Sequence, residues 1–144
     1  MKTVLFICTG NSARSQLAEA LTNHARPGEW QAVSAGVAPS SAGVHPQARA
    51  VLQENGVPTS TLRPKHLDEF RDAGPDLVVT VCDSAAQKCP VWLEEGAVVH
   101  YPLPDPSHAI GAGDAKRNAF RRTRDRIRRE LVDRLDELWE QAQP

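Results

Sequence analysis

The sequence has no apolar run long enough to cross a bilayer and almost no net charge. A membrane span needs about 20 consecutive apolar residues, whereas the short run at the N-terminus stops at Cys8 and has no signal-peptide cleavage region. Lys and Arg number 17 against 18 Asp and Glu, so the basic excess typical of nucleic-acid binders is missing. We therefore expect a cytoplasmic protein that binds neither membrane nor nucleic acid.

Cysteine is also scarce, since the 144 residues include only three. In a reducing compartment cysteines stay as thiols, and a disulfide there is usually transient or catalytic. A chain of this length buries roughly 68–70% of its unfolded surface, so it needs no disulfide or metal to hold its core. An odd number of thiols therefore requires a chemical explanation for each one.

Short apolar runs alternate with segments of helical pattern along the chain. The predicted strands lie at residues 3–7, 30–36, 76–81 and 97–101. The predicted helices lie at residues 14–21, 46–55, 66–72 and 115–141. Strands that are apolar throughout suit a parallel sheet covered on both faces. The pattern predicts one α/β domain over residues 1–144, a three-layer sandwich with a four-stranded parallel sheet and helices on both faces, and by default a monomer.

The loop after the first predicted strand combines a thiol and an arginine in the pattern C-x5-R-S. Unpaired N–H groups and the helix dipole at a helix N-terminus bind tetrahedral oxyanions, and Gly10 allows the loop to curl around such an anion. Arg14 matches two anion oxygens, and the positive surroundings favour the thiolate of Cys8, to which Ser15 can donate a hydrogen bond. A small buried cysteine near an arginine by chance is the alternative. The predicted anion-binding residues are Thr9, Gly10, Asn11, Ser12, Ala13 and Arg14.

Two further features follow later strands, where open α/β sheets bind their ligands. Six residues separate Cys82 from Cys89, whereas zinc sites place paired cysteines two to four apart and need a second pair. These two thiols are able to form a disulfide if the segment rearranges, or they are two unrelated buried cysteines. Asp105, held between Pro104 and Pro106, is a candidate proton donor to a leaving oxygen, or else a solvated turn residue.

These motifs resemble the low-molecular-weight protein tyrosine phosphatase fold family over nearly the whole chain. The phosphatase loop and the aspartate are shared by the whole family. The pair Cys82 and Cys89 resembles its thioredoxin-coupled arsenate reductases, which act in arsenic detoxification. The resemblance therefore implies an arsenate reductase. The catalytic residues that it implies are Cys8, Arg14, Ser15, Cys82, Cys89 and Asp105.

The resemblance implies a relay of three thiols. Cys8 attacks arsenate held by Arg14, while Asp105 protonates the departing oxygen. Cys82 then attacks Cys8 as arsenite leaves, Cys89 attacks Cys82, and thioredoxin reduces the resulting disulfide. Phosphate and sulfate are the expected competing anions, and no tightly bound cofactor is implied.

Two alternatives to this function remain. The first is a tyrosine phosphatase that uses Cys8, Arg14 and Asp105, although the residues nearest the acid loop lack the usual aromatic side chains, with Tyr101 and Trp92 the nearest in sequence. Arsenate and phosphate are alike in geometry, so residual phosphatase activity is compatible with the loop. The second is a non-catalytic protein that binds an oxyanion or senses redox state.

Some relatives bind potassium beside the loop through an Asn, a Glu, a Ser and an Asp. Asn11, Glu19 and Ser34 match three of these positions. The acidic position falls at His66, which is not a cation ligand of that kind. The resemblance therefore does not extend to a complete potassium site.

Overall fold

Four parallel strands form the centre of the fold, in the order β2-β1-β3-β4. The computed structural model describes residues 1–90 and 96–144, so the Trp92 position lies outside the described residues. The strands are β1 (Lys2–Cys8), β2 (Trp30–Gly36), β3 (Leu77–Thr80) and β4 (Val98–His100). The helices are α1 (Arg14–Ala25), α2 (Pro46–Glu54), α3 (Asp83–Gln87), α4 (Ala115–Glu130) and α5 (Leu135–Gln141). Turns of 3-10 helix cover Leu67–Phe70, Pro106–His108 and Val132–Arg134.

The central strand β1 is covered on both faces. Val4, Leu5, Phe6 and Ile7 have no exposed surface, and successive side chains of a strand point to opposite faces of the sheet. The strand pairs in parallel with β2 on one side and β3 on the other. The predicted α/β class and the four-stranded parallel sheet are therefore confirmed. Within the described residues, no helix is both long and apolar enough to span a bilayer.

The last predicted helix is wrong in one respect, because it is two helices with a 3-10 turn between α4 and α5. The guanidinium of Arg26 donates to the carbonyl oxygen of Val132 over 2.9 Å and to the carboxylate of Asp136 over 2.7 Å. The indole N–H of Trp30 donates to the same carboxylate over 2.9 Å. These contacts with β2 and with the end of α1 stabilise the break between α4 and α5. The periodic spacing of the leucines does not reveal such contacts.

The end of β2 lies against the loop that follows β1. The amide N of Gly36 donates to the carbonyl oxygen of Lys65 over 2.8 Å. A Cβ atom added at Gly36 would lie 2.6 Å from the carbonyl oxygen of Thr9 and 3.0 Å from the amide N of Asn11. Backbone packs on backbone here, so glycine is the residue that this approach requires.

Replacing Gly36 with alanine is expected to destabilise the fold by about 1–3 kcal/mol, because the methyl group overpacks a rigid backbone contact. Urea unfolding of the parent and of Gly36→Ala measures the difference in free energy. Gly96→Ala is the control, since among the described residues no atom beyond its chain neighbours lies within 4 Å of its added Cβ. Equal unfolding free energies for the parent and Gly36→Ala would contradict the packing described.

Candidate active site

Cys8 ends β1 and lies at the base of the loop that leads into α1. Its side chain is buried, with 3% of the residue exposed. The sulfur accepts a hydrogen bond from the amide N of Asn11 over 3.2 Å and lies 2.8 Å from the hydroxyl oxygen of Ser15. A cavity of about 250 Å³ opens beside it, and its lining includes Cys8, Arg14, His45, Asp105 and Ser107. The structure thus brings the predicted nucleophile, arginine and acid together.

Arg14 crosses the cavity from the first turn of α1 to the loop after β4. One guanidinium nitrogen donates to the carbonyl oxygen of Leu103 over 2.8 Å, and another lies 3.7 Å from a carboxylate oxygen of Asp105. The carbonyl contact fixes the plane of the guanidinium. Arg14 also lines the cavity, so its charge is available to an oxyanion bound there.

Asp105 precedes a single 3-10 turn and caps it. Burial raises the pKa of Asp105, but hydrogen bonds from the amide N and the hydroxyl of Ser107, over 2.9 Å and 2.8 Å, lower it. The positive charges of Arg14 and His108 lower it further, and the pKa of Asp105 lies below its ordinary value as a result. The carboxyl group is therefore ionised at neutral pH while no anion screens Arg14.

The left-handed residue of the loop is Asn11, with φ of +48°, and not Gly10. Asn is one of the few residues other than glycine that adopt this conformation readily. The fully buried Asn11 amide donates to the hydroxyl oxygens of Ser15 and Ser34 over 2.7 Å and 2.9 Å. Its oxygen accepts from the backbone N of Lys65 over 2.9 Å. Asn11 therefore fastens the loop to α1, to β2 and to the chain before β3.

The three predicted potassium positions do come together behind the loop. The hydroxyl of Ser34 donates to a carboxylate oxygen of Glu19 over 2.8 Å. The residue that faces Glu19 is Lys65 and not His66, because the Lys65 ammonium lies 3.4 Å from the same oxygen. His66 is half-exposed and caps the 3-10 turn that follows it.

The residues behind the loop do not fit a bound potassium ion, since an ammonium group already contacts the carboxylate. His, Cys, Asp and Glu residues of the described chain form no group of three able to hold a metal ion.

Cys82 caps the N-terminus of α3 and lies next to the Cys8 loop. Its sulfur is 3.3 Å from the hydroxyl oxygen of Thr9 and accepts from the amide N of Ala85 over 3.4 Å. The three cysteines are buried thiols. Cys89 follows the end of α3, and seven residues along a helical path span roughly 10 Å. A disulfide needs Cα atoms within about 7 Å, so we expect pairing of Cys82 with Cys89 to require a rearrangement of this segment.

His45 is a cavity residue that the sequence pattern did not single out. Its Nδ1 accepts from the amide N of Gln47 over 3.1 Å at the start of α2, and its ring packs on Phe120 with centroids 4.6 Å apart. Burial and the charge of Lys116 lower the pKa of His45, against a smaller opposing effect of Asp105. A neutral ring that accepts at Nδ1 carries its proton on Nε2. Its position before Pro46 was the only sequence signal, and it indicates a helix start.

The buried thiol, the helix N-terminus and the Arg14–Asp105 pair lie on one cavity, and this arrangement suits cysteine chemistry on a tetrahedral oxyanion. The family model of low molecular weight phosphotyrosine protein phosphatase matches residues 3–143. The chain therefore belongs to that family.

Curated relatives and solved structures agree with this assignment. An arsenate reductase of Bacillus subtilis is 36% identical over 139 residues, which cover 96% of each chain. The solved structure of an arsenate reductase in the phosphate binding state has a TM-score of 0.77 at 27% identity and covers 99% of each chain. A thioredoxin-dependent arsenate reductase of Corynebacterium glutamicum has a TM-score of 0.69 at 28% identity, covering 99% of this chain and 64% of the other. The likeness thus extends over the whole fold.

Removing the Ser107 hydroxyl is expected to raise the pKa of Asp105. The hydroxyl donates to the ionised carboxylate, so its loss favours the protonated form. A hydrogen bond to a charged group contributes about 1.5–3 kcal/mol, which corresponds to a rise of the pKa by about one to two pH units. Titration of the Asp105 carboxyl carbon by 13C NMR in the parent and Ser107→Ala measures it. The exposed Ser60→Ala is the control, and an unchanged titration in Ser107→Ala would refute the assigned contact.

Proposed function

We propose that this protein reduces arsenate to arsenite in the cytoplasm, and that thioredoxin returns it to the reduced state. The observation that carries the proposal is the position of Cys82, whose sulfur lies 3.3 Å from the Thr9 hydroxyl at the edge of the nucleophile loop. A phosphatase needs one thiol, whereas a reductase must also pass an oxidised sulfur to a second one. Similarity to curated arsenate reductases supports the same choice.

The first step joins the Cys8 sulfur to arsenic. Loop N–H groups and the Arg14 fork hold arsenate with its arsenic above the thiolate. The thiolate attacks, an arsenic–oxygen bond breaks, and Asp105 gives its proton to the departing oxygen, which leaves as water. Arsenic keeps its oxidation state in this step. Phosphate and sulfate compete for the loop because they present the same tetrahedral oxygens.

Asp105 must carry a proton when the oxygen leaves, although its pKa is lowered before the anion binds. The charge of Arg14 is one cause of that lowering. The oxygens of a bound arsenate pair with the Arg14 guanidinium and offset its positive charge, and the arsenate adds negative charge beside the carboxylate. Both effects raise the pKa of Asp105. Substrate binding itself therefore prepares the acid.

In the second step arsenic gains two electrons and a disulfide forms between Cys8 and Cys82. In the third step the disulfide passes to Cys82 and Cys89. The thiolate of Cys82 attacks the Cys8 sulfur, the sulfur–arsenic bond breaks with its electron pair on arsenic, and arsenite leaves. Cys89 then attacks Cys82 and frees Cys8 as a thiolate. Because we expect the segment that carries α3 to rearrange for that pairing, the new disulfide forms where thioredoxin is able to reach it.

The two later thiols are expected to separate arsenite release from recycling. Cys82→Ser releases no arsenite, because no second sulfur attacks the Cys8 adduct. Cys89→Ser releases a single arsenite per chain and then stops, because the oxidised pair stays at the buried loop. Arsenite is quantified in single-turnover and steady-state assays with thioredoxin, thioredoxin reductase and NADPH.

Ser84→Ala is the control for these variants, since it changes an exposed residue of α3 and leaves the thiols in place. It is expected to turn over at the parental rate. Repeated turnover by Cys89→Ser at the parental rate would rule out the relay.

The alternative function is phosphate ester hydrolysis. The chain belongs to a phosphatase family, which supports this alternative. The loop binds phosphate as it binds arsenate, so we propose weak phosphatase activity as a side reaction. A phosphotyrosine ring would find no Phe, Tyr or Trp side chain to pack against, since none is among the residues described around the Cys8 cavity. The hydroxyl of Tyr101 instead donates to Glu130 of α4.

Hydrolysis of an aryl phosphate is expected to depend on Cys8 and Asp105 but not on the relay thiols. Cys8→Ser abolishes it, Asp105→Asn slows it by about 10²–10⁴-fold as expected for loss of a general acid, and Cys82→Ser retains the parental rate. Rates are followed by release of the phenol alongside the arsenate assay. Aryl phosphate turnover far above arsenate turnover would make the phosphatase the main function, and no turnover of either would indicate a binding protein.

A further inference from the structure

A second cavity lies between α4 and the loop that carries Asp105. Its volume is about 430 Å³, against about 250 Å³ for the cavity at the nucleophile, and ligand sites in proteins usually measure about 300–1,000 Å³. Its lining residues lie within 103–109 of the loop and within 119–126 of the helix, and we call it the α4 cavity. The reaction steps above make no use of it.

The walls of the α4 cavity are apolar on both sides. The loop contributes Leu103, Pro106 and Ala109. The helix contributes Ala119 and Thr123, which lie one turn apart on the same face of α4. The Thr123 hydroxyl donates to the carbonyl oxygen of Ala119 over 3.0 Å, so this polar group already has its partner within the helix. A flat aromatic or branched hydrocarbon group would therefore cover apolar surface here without leaving a polar group unpaired.

One arginine at the α4 cavity differs from its neighbours along the helix. Arg122 lines the cavity and is exposed, and among the residues that the structure describes it makes no ion pair and no hydrogen bond. Other arginines of α4 lie within 3.3 Å of a carboxylate oxygen, namely Arg121, Arg124, Arg126, Arg128 and Arg129. Arg122 therefore has its charge and its guanidinium donors available to an anion.

Asp105 connects the α4 cavity to the site of the reaction, because this residue lines both cavities. One carboxylate oxygen of Asp105 lies 3.7 Å from a guanidinium nitrogen of Arg14 and 3.5 Å from Nε2 of His108. Arg14 lines the cavity at the nucleophile, whereas His108 lines the α4 cavity. A molecule in the α4 cavity would therefore contact the loop that positions the proposed acid.

We propose that the α4 cavity binds a small organic carboxylate, with an aromatic or branched body between the loop and α4 and its carboxylate on Arg122. A planar carboxylate matches the guanidinium fork, whereas the loop after β1 suits a tetrahedral anion. The two cavities thus take different anions. Such a ligand holds the Asp105 loop against α4. Binding requires neither arsenate nor the thiols, so its test is independent of the proposed reaction.

The probe is 2-naphthoate, which combines a flat apolar body with one carboxylate. Binding is measured by NMR, from the amide shifts of 15N-labelled protein as the probe is added in phosphate buffer. The neutral 2-naphthamide has the same body without the charge, and acetate has the charge without the body. The variants are Arg122→Gln and Thr123→Leu. Arg129→Gln is the matched control, since it removes the same charge from an exposed arginine of α4 that is not among the residues described at the cavity.

The probe is expected to shift the amides of Ala109, Ala119 and Thr123, with a Kd on the order of 1 mM for a ligand of this size. The parent and Arg129→Gln bind it alike. Arg122→Gln binds it about tenfold more weakly, because a hydrogen-bonded pair of charges is lost. The parent binds 2-naphthamide as weakly as Arg122→Gln binds 2-naphthoate, and acetate gives no saturable shift. Thr123→Leu fills the cavity and abolishes binding, and urea unfolding verifies that this variant is folded.

Equal affinity of the parent and Arg122→Gln for 2-naphthoate would overturn the proposal. So would a neutral amide that binds as tightly as the carboxylate, a folded Thr123→Leu that binds like the parent, or the absence of any saturable shift. Shifts centred on Gly10 and Ser12 would also overturn it, because these residues line the other cavity. If Thr123→Leu does not fold, Arg122→Gln and 2-naphthamide decide by the same criteria.

Discussion

The side-chain amide of Asn11 is the contact on which the site depends. It is fully buried, so each of its polar atoms must find a partner, and an unmet one would cost about 1–3 kcal/mol. Its partners come from three separate parts of the chain, namely Ser15 and Gln16 of α1, Ser34 of β2 and the backbone of Lys65. Satisfying them forces the left-handed turn of the loop, and that turn directs the Asn11 N–H at the Cys8 sulfur. One amide thus shapes the loop and prepares the nucleophile.

The parallel sheet supplies the second constraint, because it brings the carboxyl ends of its strands to one edge. Cys8 ends the central strand, and Gly36 ends its neighbour close enough that no side chain would fit between it and the loop. Cys82 follows the strand on the other side and reaches Thr9. Cys8 at the end of β1 therefore has the closely packed backbone of β2 on one side and the thiol of Cys82 on the other. The rigid side holds the loop that follows β1, and in the proposed relay the side that carries α3 is the one that moves.

The features predicted correctly from the sequence are those that depend on residues close together in the chain. Apolar runs located the strands, and the C-x5-R-S pattern located the loop with Cys8 and Arg14. The parts that it missed depend on contacts between distant segments. A lysine such as Lys65 is normally expected at the surface, and only the structure shows that it pairs with Glu19. The break before α5 is stabilised by Arg26, which donates to a carbonyl oxygen there. Matching ligand types to positions placed the fourth potassium ligand at His66, one residue away from the side chain that faces Glu19.

Two cations lie on opposite sides of one loop, and a net charge of −1 conceals both. Arg14 faces the cavity and balances the incoming anion, while Lys65 faces inward and balances Glu19. In the proposed reaction the bound anion offsets the charge of Arg14, which is one of the groups that lower the pKa of Asp105 in its absence.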